Sequence, residues 1–226
     1  MFVQKHFLFL MLVISLDSPA STFESDIVAA AYERTKHSVT YDGRYLSIPY
    51  PGGDVPANIG VCTDVVVRSY RKIGTDLQKL VHEDMKNNFS SYPSKLIWGL
   101  SKPDRNIDHR RVPNLQSFLS RHGQILEISS KANEFKPGNL VTWMLPGNLP
   151  HIGIVTDTID PETGNPMVVH NIGRGPLISP AHTQICVQRG GQLSDKRFVI
   201  YLQRARGFKI TKQHALIDAA EQQQEE

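Results

Sequence analysis

The order in which hydrophobic periods occur constrains this chain more than any single residue does. Up to Gly123 apolar residues recur at helical spacing, and beyond it they come in short alternating or continuous runs broken by Gly, Pro and Asn. The first half predicts a helix over 26–37, capped by Ser25 or Asp26, with Ile27, Ala30, Ala31 and Arg34 at helical spacing. A second helix follows Thr75 or Asp76 and lays Leu77, Leu80, Val81 and Met85 along one stripe, with His82 off the stripe and exposed. A short third helix opens at Pro113, turns Leu115, Phe118 and Leu119 inward and closes at Gly123. The second half predicts strands over 124–128, 139–144, 151–157, 167–171, 184–188 and 196–203, a meander of antiparallel strands. Helices first and a sheet afterwards imply an α+β domain, with N-terminal helices packed on a C-terminal antiparallel β-sheet, and exclude a doubly wound one.

Both ends of the chain lie outside that pattern. Lys5 and His6 precede an apolar run over 7–16, and Ser18-Pro19-Ala20 offers small residues at cleavage spacing, so residues 1–20 read as a secretory signal peptide. The run is too short for a transmembrane anchor, which needs about twenty apolar residues. Residues 21–210 fit a single domain, and 211–226, ending Glu-Gln-Gln-Gln-Glu-Glu, form a polar tail. The net charge of +3 has no basic block behind it, which argues against nucleic acid as partner. A mildly basic exported chain is compatible with an anionic cell wall or membrane surface. No P-loop, dinucleotide fingerprint or zinc-ligand pattern occurs, so neither a cofactor nor a metal is expected.

Within the helical half, Gly60-Val61-Cys62-Thr63-Asp64 stands out. The valines at 65–67 favour strand locally, but Arg71, Lys72 and Gly74 have the order of a helix C-terminus, so Cys62 opens a helix buried on more than one face. A cysteine in a first helical turn meets unpaired N–H groups and the positive end of the macrodipole, both of which favour the thiolate. The alternative is a structural disulfide between Cys62 and Cys186, the two cysteines of an exported chain. Asp64 caps the helix but opposes thiolate formation by its charge, and it could also bind a substrate amine or an arginine.

A nucleophile needs a base, and His151 heads one strand while His170 lies late in the next. In an antiparallel pair those positions are neighbours, so Cys62, His151 and His170 can form a relay of nucleophile, base and orienting group. A packed or surface role for each histidine is the alternative. The charged stretch over 102–111 contains Arg105, Asp108, His109, Arg110 and Arg111, and lacks further residues at metal-ligand spacing. It reads as a solvated or substrate-facing loop.

Tyr50-Pro51-Gly52-Gly53, the Cys62 helix ending Lys72-Ile73-Gly74, Lys136-Pro137-Gly138-Asn139-Leu140-Val141, His151-Ile152-Gly153-Ile154-Val155 and Val169-His170-Asn171 occur in that order. The series resembles the ordered motifs of NlpC/p60 papain-fold cysteine peptidases. With Val81-His82-Glu83-Asp84-Met85 and the segment 106–111, it resembles more closely an exported bacterial branch of that superfamily, catalogued as domain of unknown function 1287. The likeness covers roughly 27–203 and implies a papain-like NlpC/p60-type fold. By position it makes Cys62 the nucleophile, His151 the base and His170 the orienting residue. It assigns the oxyanion region to Tyr50, with Tyr41 as second choice, alongside the Cys62 N–H. Where such peptidases carry Asp-Cys-Ser-Gly and Pro-Gly-Asp, this chain has Val61-Cys62-Thr63-Asp64 and Pro137-Gly138-Asn139.

The resulting expectation is a monomeric thiol hydrolase of the periplasm or cell envelope. It would cleave amide bonds in peptidoglycan stem peptides as endopeptidase or amidase, with Asp64, Asp108, His109 and Arg110 toward the substrate and Arg105 and Arg111 meeting its carboxylates. The alternatives are a non-catalytic wall-binding module on a peptidase scaffold and a thiol acyltransferase.

Overall fold

The computed structural model describes residues 22–126, 131–181 and 202–204. The expected signal peptide, the strand expected over 184–188, Cys186 and the expected tail lie outside the described residues. The fold is mixed α+β, with the helices N-terminal and an antiparallel sheet C-terminal.

Helix α1 spans Phe23–Arg34, three residues earlier than the sequence pattern places it. The shift follows from capping: Thr22 and Ser25 exchange side-chain and backbone bonds, Ser25 N–H to Thr22 Oγ1 at 3.2 Å and Thr22 N–H to Ser25 Oγ at 3.0 Å. Two orphan N–H groups are satisfied at once, which a start at Asp26 would not achieve. Two short strands, β1 (Thr40–Tyr41) and β2 (Ile59–Gly60), pair in parallel with Tyr41 opposite Gly60.

Helix α2 spans Cys62–Lys72 and is the centre of the core, with Cys62, Val65, Val66, Val67 and Tyr70 all buried. Burial all round the helix explains its valines, because packing on several sides outweighs their modest helix propensity. It ends in a Schellman arrangement, Thr75 N–H to Tyr70 O at 2.9 Å and Gly74 N–H to Arg71 O at 3.0 Å, with Gly74 at φ +85°. Helix α3 (Leu77–Asn88) is capped by Asp76 and buries Leu77, Val81 and Met85. A five-residue helix, α4 (Ser94–Trp98), ends at left-handed Gly99; the sequence pattern does not announce it, being shorter than two helical turns. Helix α5 (Val112–His122) has Pro113 in its first turn and buries Leu115 and Phe118.

The sheet contains β3 (Gln124–Leu126), β4 (Leu140–Leu145), β5 (Leu149–Ile159), β6 (Pro166–Asn171), β7 (Pro176–Pro180) and β8 (Leu202–Arg204), in the order β3-β8-β4-β5-β6-β7. Strand β7 goes unrecognised in the sequence because prolines bracket it. Among the described residues it is an edge strand, where proline is tolerated. Leu140, Ile152, Ile154 and Val169 pack with the helices, whereas Val141, Trp143, Val155 and Val168 form a second core on the opposite face with Phe135 and Ala181. By the same alternation His151, Gly153 and His170 belong to the face of Trp143.

Gly153 sits where β5 crosses β6 most closely. A Cβ there would lie 2.5 Å from Val168 Cγ1 and 2.9 Å from the Val169 carbonyl oxygen. The backbone oxygen cannot move aside, so Gly153→Ala is expected to lower stability by about 2 kcal/mol, the scale of overpacking a well-filled core. Urea denaturation of the two proteins measures it.

Candidate active site

Three sets of contacts deliver Cys62 to the sheet. The loop over 49–58, irregular because of its prolines and glycines, is gripped from α2 and α3. Arg68 bonds Asp54 at 2.9 Å and the carbonyls of Val55, Pro56 and Ile59. Arg71 reaches Asp54 and the Gly53 carbonyl, both at 2.9 Å. Buried Gln78 accepts from Gly53 N–H and donates to the carbonyls of Pro49 and Arg105. Finally Asn171, directly after His170, donates through Nδ2 to the Gly60 carbonyl at 3.3 Å.

The hinge of the site is Asp64. Its carboxylate accepts the Val61 N–H at 2.7 Å and both Arg110 Nε and Nη2 at 2.9 Å, with each side chain only 3% exposed. Arg110 donates onward to the carbonyls of Asp42 and Arg44, while the Arg110 carbonyl accepts from Thr63 Oγ1 at 2.9 Å. One ion pair thus joins the α2 N-terminus, the 3₁₀ turn Asp108–Arg110 and the turn that follows Tyr41. This corrects the expectation of a solvated or substrate-facing loop at its end, where Asp108, His109 and Arg110 are all buried, while Lys102 and Arg105 are exposed. The physical reason is that Arg110 gives four of its five N–H donors to the protein's own carboxylate and carbonyls. Asp108 accepts from Arg111 and from the Asp104 N–H. Burial raises its carboxyl to about 6.

Cys62 carries a free, buried thiol; Cys186 lies outside the described residues. Val155 exchanges backbone bonds with the β4 side, donating to Asn139 and accepting from Gly138, so alternation turns the N–H groups of Ile154 and Ile152 toward β6. The β5–β6 ladder begins only at Ile154–Val169. The Ile152 and Thr63 N–H groups and the Tyr41 hydroxyl lie near enough to the Cys62 sulfur to favour its charged form. Burial raises its pKa to about 11, with the Asp64 charge adding to the rise and those donors opposing it. Tyr41 is raised to about 12, first by burial and then by the Cys62 charge. Tyr50, the first choice for the oxyanion region, packs edge-on against His82 at 5.1 Å with Arg105 5.7 Å over its ring, so the tyrosine at the thiol is Tyr41.

Near the head of β5, His151 Nε2 lies 3.0 Å from His170 Nδ1, and His170 Nε2 lies 2.8 Å from Ser179 Oγ. Trp143, opposite His151 across β4–β5, covers both rings at 4.6 and 5.4 Å. Among the described residues the thiol makes no hydrogen bond to either ring, and His151 Nδ1 is the ring nitrogen not committed to His170. Burial holds His151 at about 3, with the charge of His170 adding to the fall, and burial alone holds His170 at about 4. At neutral pH the thiol and both imidazoles are thus uncharged. Ser179 and Trp143 were not visible as site residues in the sequence. Ser179 lies on the unrecognised edge strand, and Trp143 has only its aromatic type to mark it. Among the described residues no three His, Cys, Asp or Glu side chains gather as a metal site, and no helix is long and apolar enough to cross a membrane.

A family model for a domain of unknown function (DUF1287) matches residues 28–187, from within α1 to beyond β7. The chain belongs to the DUF1287 family. It is also similar to the uncharacterized protein YijF of Escherichia coli (strain K12), 48% identical over 149 residues, covering 66% of this chain and 71% of that protein. The DUF1287 match encloses Cys62, Asp64, Arg110, His151, His170 and Ser179, so the whole constellation lies within the family's domain.

Two outcomes follow. Arg110→Met leaves the Asp64 carboxylate buried without its partner and is expected to cost about 3–5 kcal/mol, part of which returns in the double variant Asp64→Asn, Arg110→Met. Equilibrium denaturation of the three proteins reads this. The second concerns acid. His109, like His151 and His170, is lowered from 6.5, to about 4, chiefly by burial. These residues contribute stability above pH 6.5 that is lost as pH falls toward their folded values, because the unfolded chain takes up protons first. Asp108, raised to about 6, works the other way below that pH, one group against three. The urea midpoint is expected to fall between pH 7.5 and 5.5. His109→Gln is expected to flatten the slope by about 1.4 kcal/mol per pH unit at most.

Proposed function

We propose that this protein is an exported thiol hydrolase of papain-like NlpC/p60-type fold that cleaves amide bonds in peptidoglycan stem peptides. The observation that carries the reading is a free thiol at the N-terminus of the helix packed on β5 and β6, the strands whose two neutral imidazoles are joined in series. The ordered likeness to NlpC/p60 motifs supports the substrate class, and the leader-like pattern of residues 1–20 supports the compartment.

In this scheme His151 Nδ1 takes the Cys62 proton as sulfur attacks the amide carbonyl carbon, so that proton transfer and C–S bond formation proceed together. A preformed thiolate is not needed, which accords with the raised thiol and lowered imidazoles. The tetrahedral oxyanion collapses, the C–N bond breaks, and His151 returns its proton to the leaving amine. Water then attacks the thioester while His151 accepts its proton, and the released sulfur regains a hydrogen. Tyr41, with its hydroxyl at the sulfur, is placed to donate to the charge that develops beside it. The tight burial of the thiol favours instead a non-catalytic wall-binding module, and the same experiment separates the two.

Purified peptidoglycan is digested with wild-type, Cys62→Ala and Tyr41→Phe proteins, and released fragments are identified by mass spectrometry. Wild type is expected to release new amine and carboxyl ends, Cys62→Ala none while remaining folded, and Tyr41→Phe fewer by on the order of a hundredfold. Release that survives Cys62→Ala removes the mechanism, and sedimentation with the wall without release supports the binding module.

A further inference from the structure

The hydrogen-bonded series at the strand head has a direction, and the direction decides whether His151 can act as a base. This inference rests on the thiol-hydrolase reading. A neutral imidazole carries one proton, so each ring in the series must donate through one nitrogen and accept through the other. For His151 Nδ1 to be bare, its proton must sit on Nε2 and be donated to His170 Nδ1. That places the His170 proton on Nε2, where it needs an acceptor, and the group found there is Ser179 Oγ at 2.8 Å. In the reverse direction Ser179 donates, His170 protonates at Nδ1 and donates to His151 Nε2, and His151 is left with its N–H at Nδ1 and cannot accept a proton there.

We propose that Ser179 is a positioning residue which, by accepting from His170 Nε2, sets both imidazoles in the tautomer that leaves His151 Nδ1 free for the Cys62 proton. A hydroxyl suits this place because it has lone pairs to offer, and among the described residues it is the partner of that nitrogen. Trp143 packs edge-on against both rings at 4.6 and 5.4 Å and holds them in place. Both rings are almost fully buried, and an N–H left there without an acceptor is costly, which is what gives Ser179 leverage over the whole series. The lowered pKa values keep both rings neutral at working pH, so tautomer and not charge is the variable.

The test is ¹⁵N NMR of the histidine rings in the full chain at neutral pH, with Ser179→Ala and Ser179→Thr beside wild type. It is paired with the rate of Cys62 alkylation by iodoacetamide, followed on the Cys62 peptide by mass spectrometry. Wild type is expected to show Nε2–H on both His151 and His170. Ser179→Ala is expected to move both rings to Nδ1–H and to slow Cys62 alkylation by about tenfold, while Ser179→Thr, which keeps the hydroxyl, preserves both readouts. Nδ1–H on either ring of wild type overturns the proposal, whether or not Ser179→Ala folds. Unchanged tautomers in a folded Ser179→Ala overturn it as well, as does equal slowing by Ala and Thr. None of these readouts requires turnover, so a protein that behaves as stated yet cuts no peptidoglycan refutes the hydrolase reading and leaves the role of Ser179 standing.

Discussion

The buried pair of Asp64 and Arg110 is the constraint on which the rest of the site depends. A carboxylate inside the first turn of α2 caps the helix through the Val61 N–H, and it would oppose any negative charge on the neighbouring sulfur if left alone. Arg110 neutralises that charge with two 2.9 Å bonds and carries the contact onward to the turn after Tyr41. The Cys62 end of α2, the 3₁₀ turn and the Tyr41 segment therefore share one anchor. Such a pair is weak evidence for stability in itself, because desolvation consumes much of its Coulomb gain. What it supplies is register: without it, three segments distant in sequence have no common reference point.

The second constraint is the open head of the β5–β6 ladder. Because pairing begins at Ile154, the Ile152 N–H is left out of the β5–β6 ladder, and it lies near enough to the Cys62 sulfur to favour the thiolate. Gly153 allows the strands to close immediately beyond, with Val168 and the Val169 carbonyl pressed against its backbone. The imidazoles lie below, with Trp143 packed edge-on against both. Burial does most of the electrostatic tuning here, and it pushes the thiol up and the imidazoles down, away from a resting ion pair. Reactivity in such a site depends on where protons sit along the series of hydrogen bonds.

Much of the fold was legible in the sequence because it is written in short-range terms. Helices α2, α3 and α5 announce themselves by stripe and terminal residues, and β4, β5 and β6 by short apolar runs between Gly, Pro and Asn. The failures have local causes too. Thr22 and Ser25 captured the start of α1 through a reciprocal cap, α4 is too short to show a period, and the prolines of β7 resemble a loop until its edge position is known. In the site, the places of Cys62, His151 and His170 could be read from helix start and strand order. Tyr41 could not be preferred to Tyr50, since the parallel pairing of Thr40–Tyr41 with Ile59–Gly60 has no signature in so short a stretch. The charged run at 108–110 looked solvated because composition records charge and is silent about partners.

By itself the sequence determined the class of fold, the helix that bears the thiol and the strands that bear the histidines, because each rests on spacing along the chain. Tertiary structure alone decided that Asp64 answers to Arg110, that Tyr41 attends the sulfur, and that Ser179 stands at the far end of the imidazole series. Those are contacts between segments tens of residues apart, set by the desolvation of charges and by which backbone donors the sheet leaves unpaired. Neither quantity exists until the chain has closed around them.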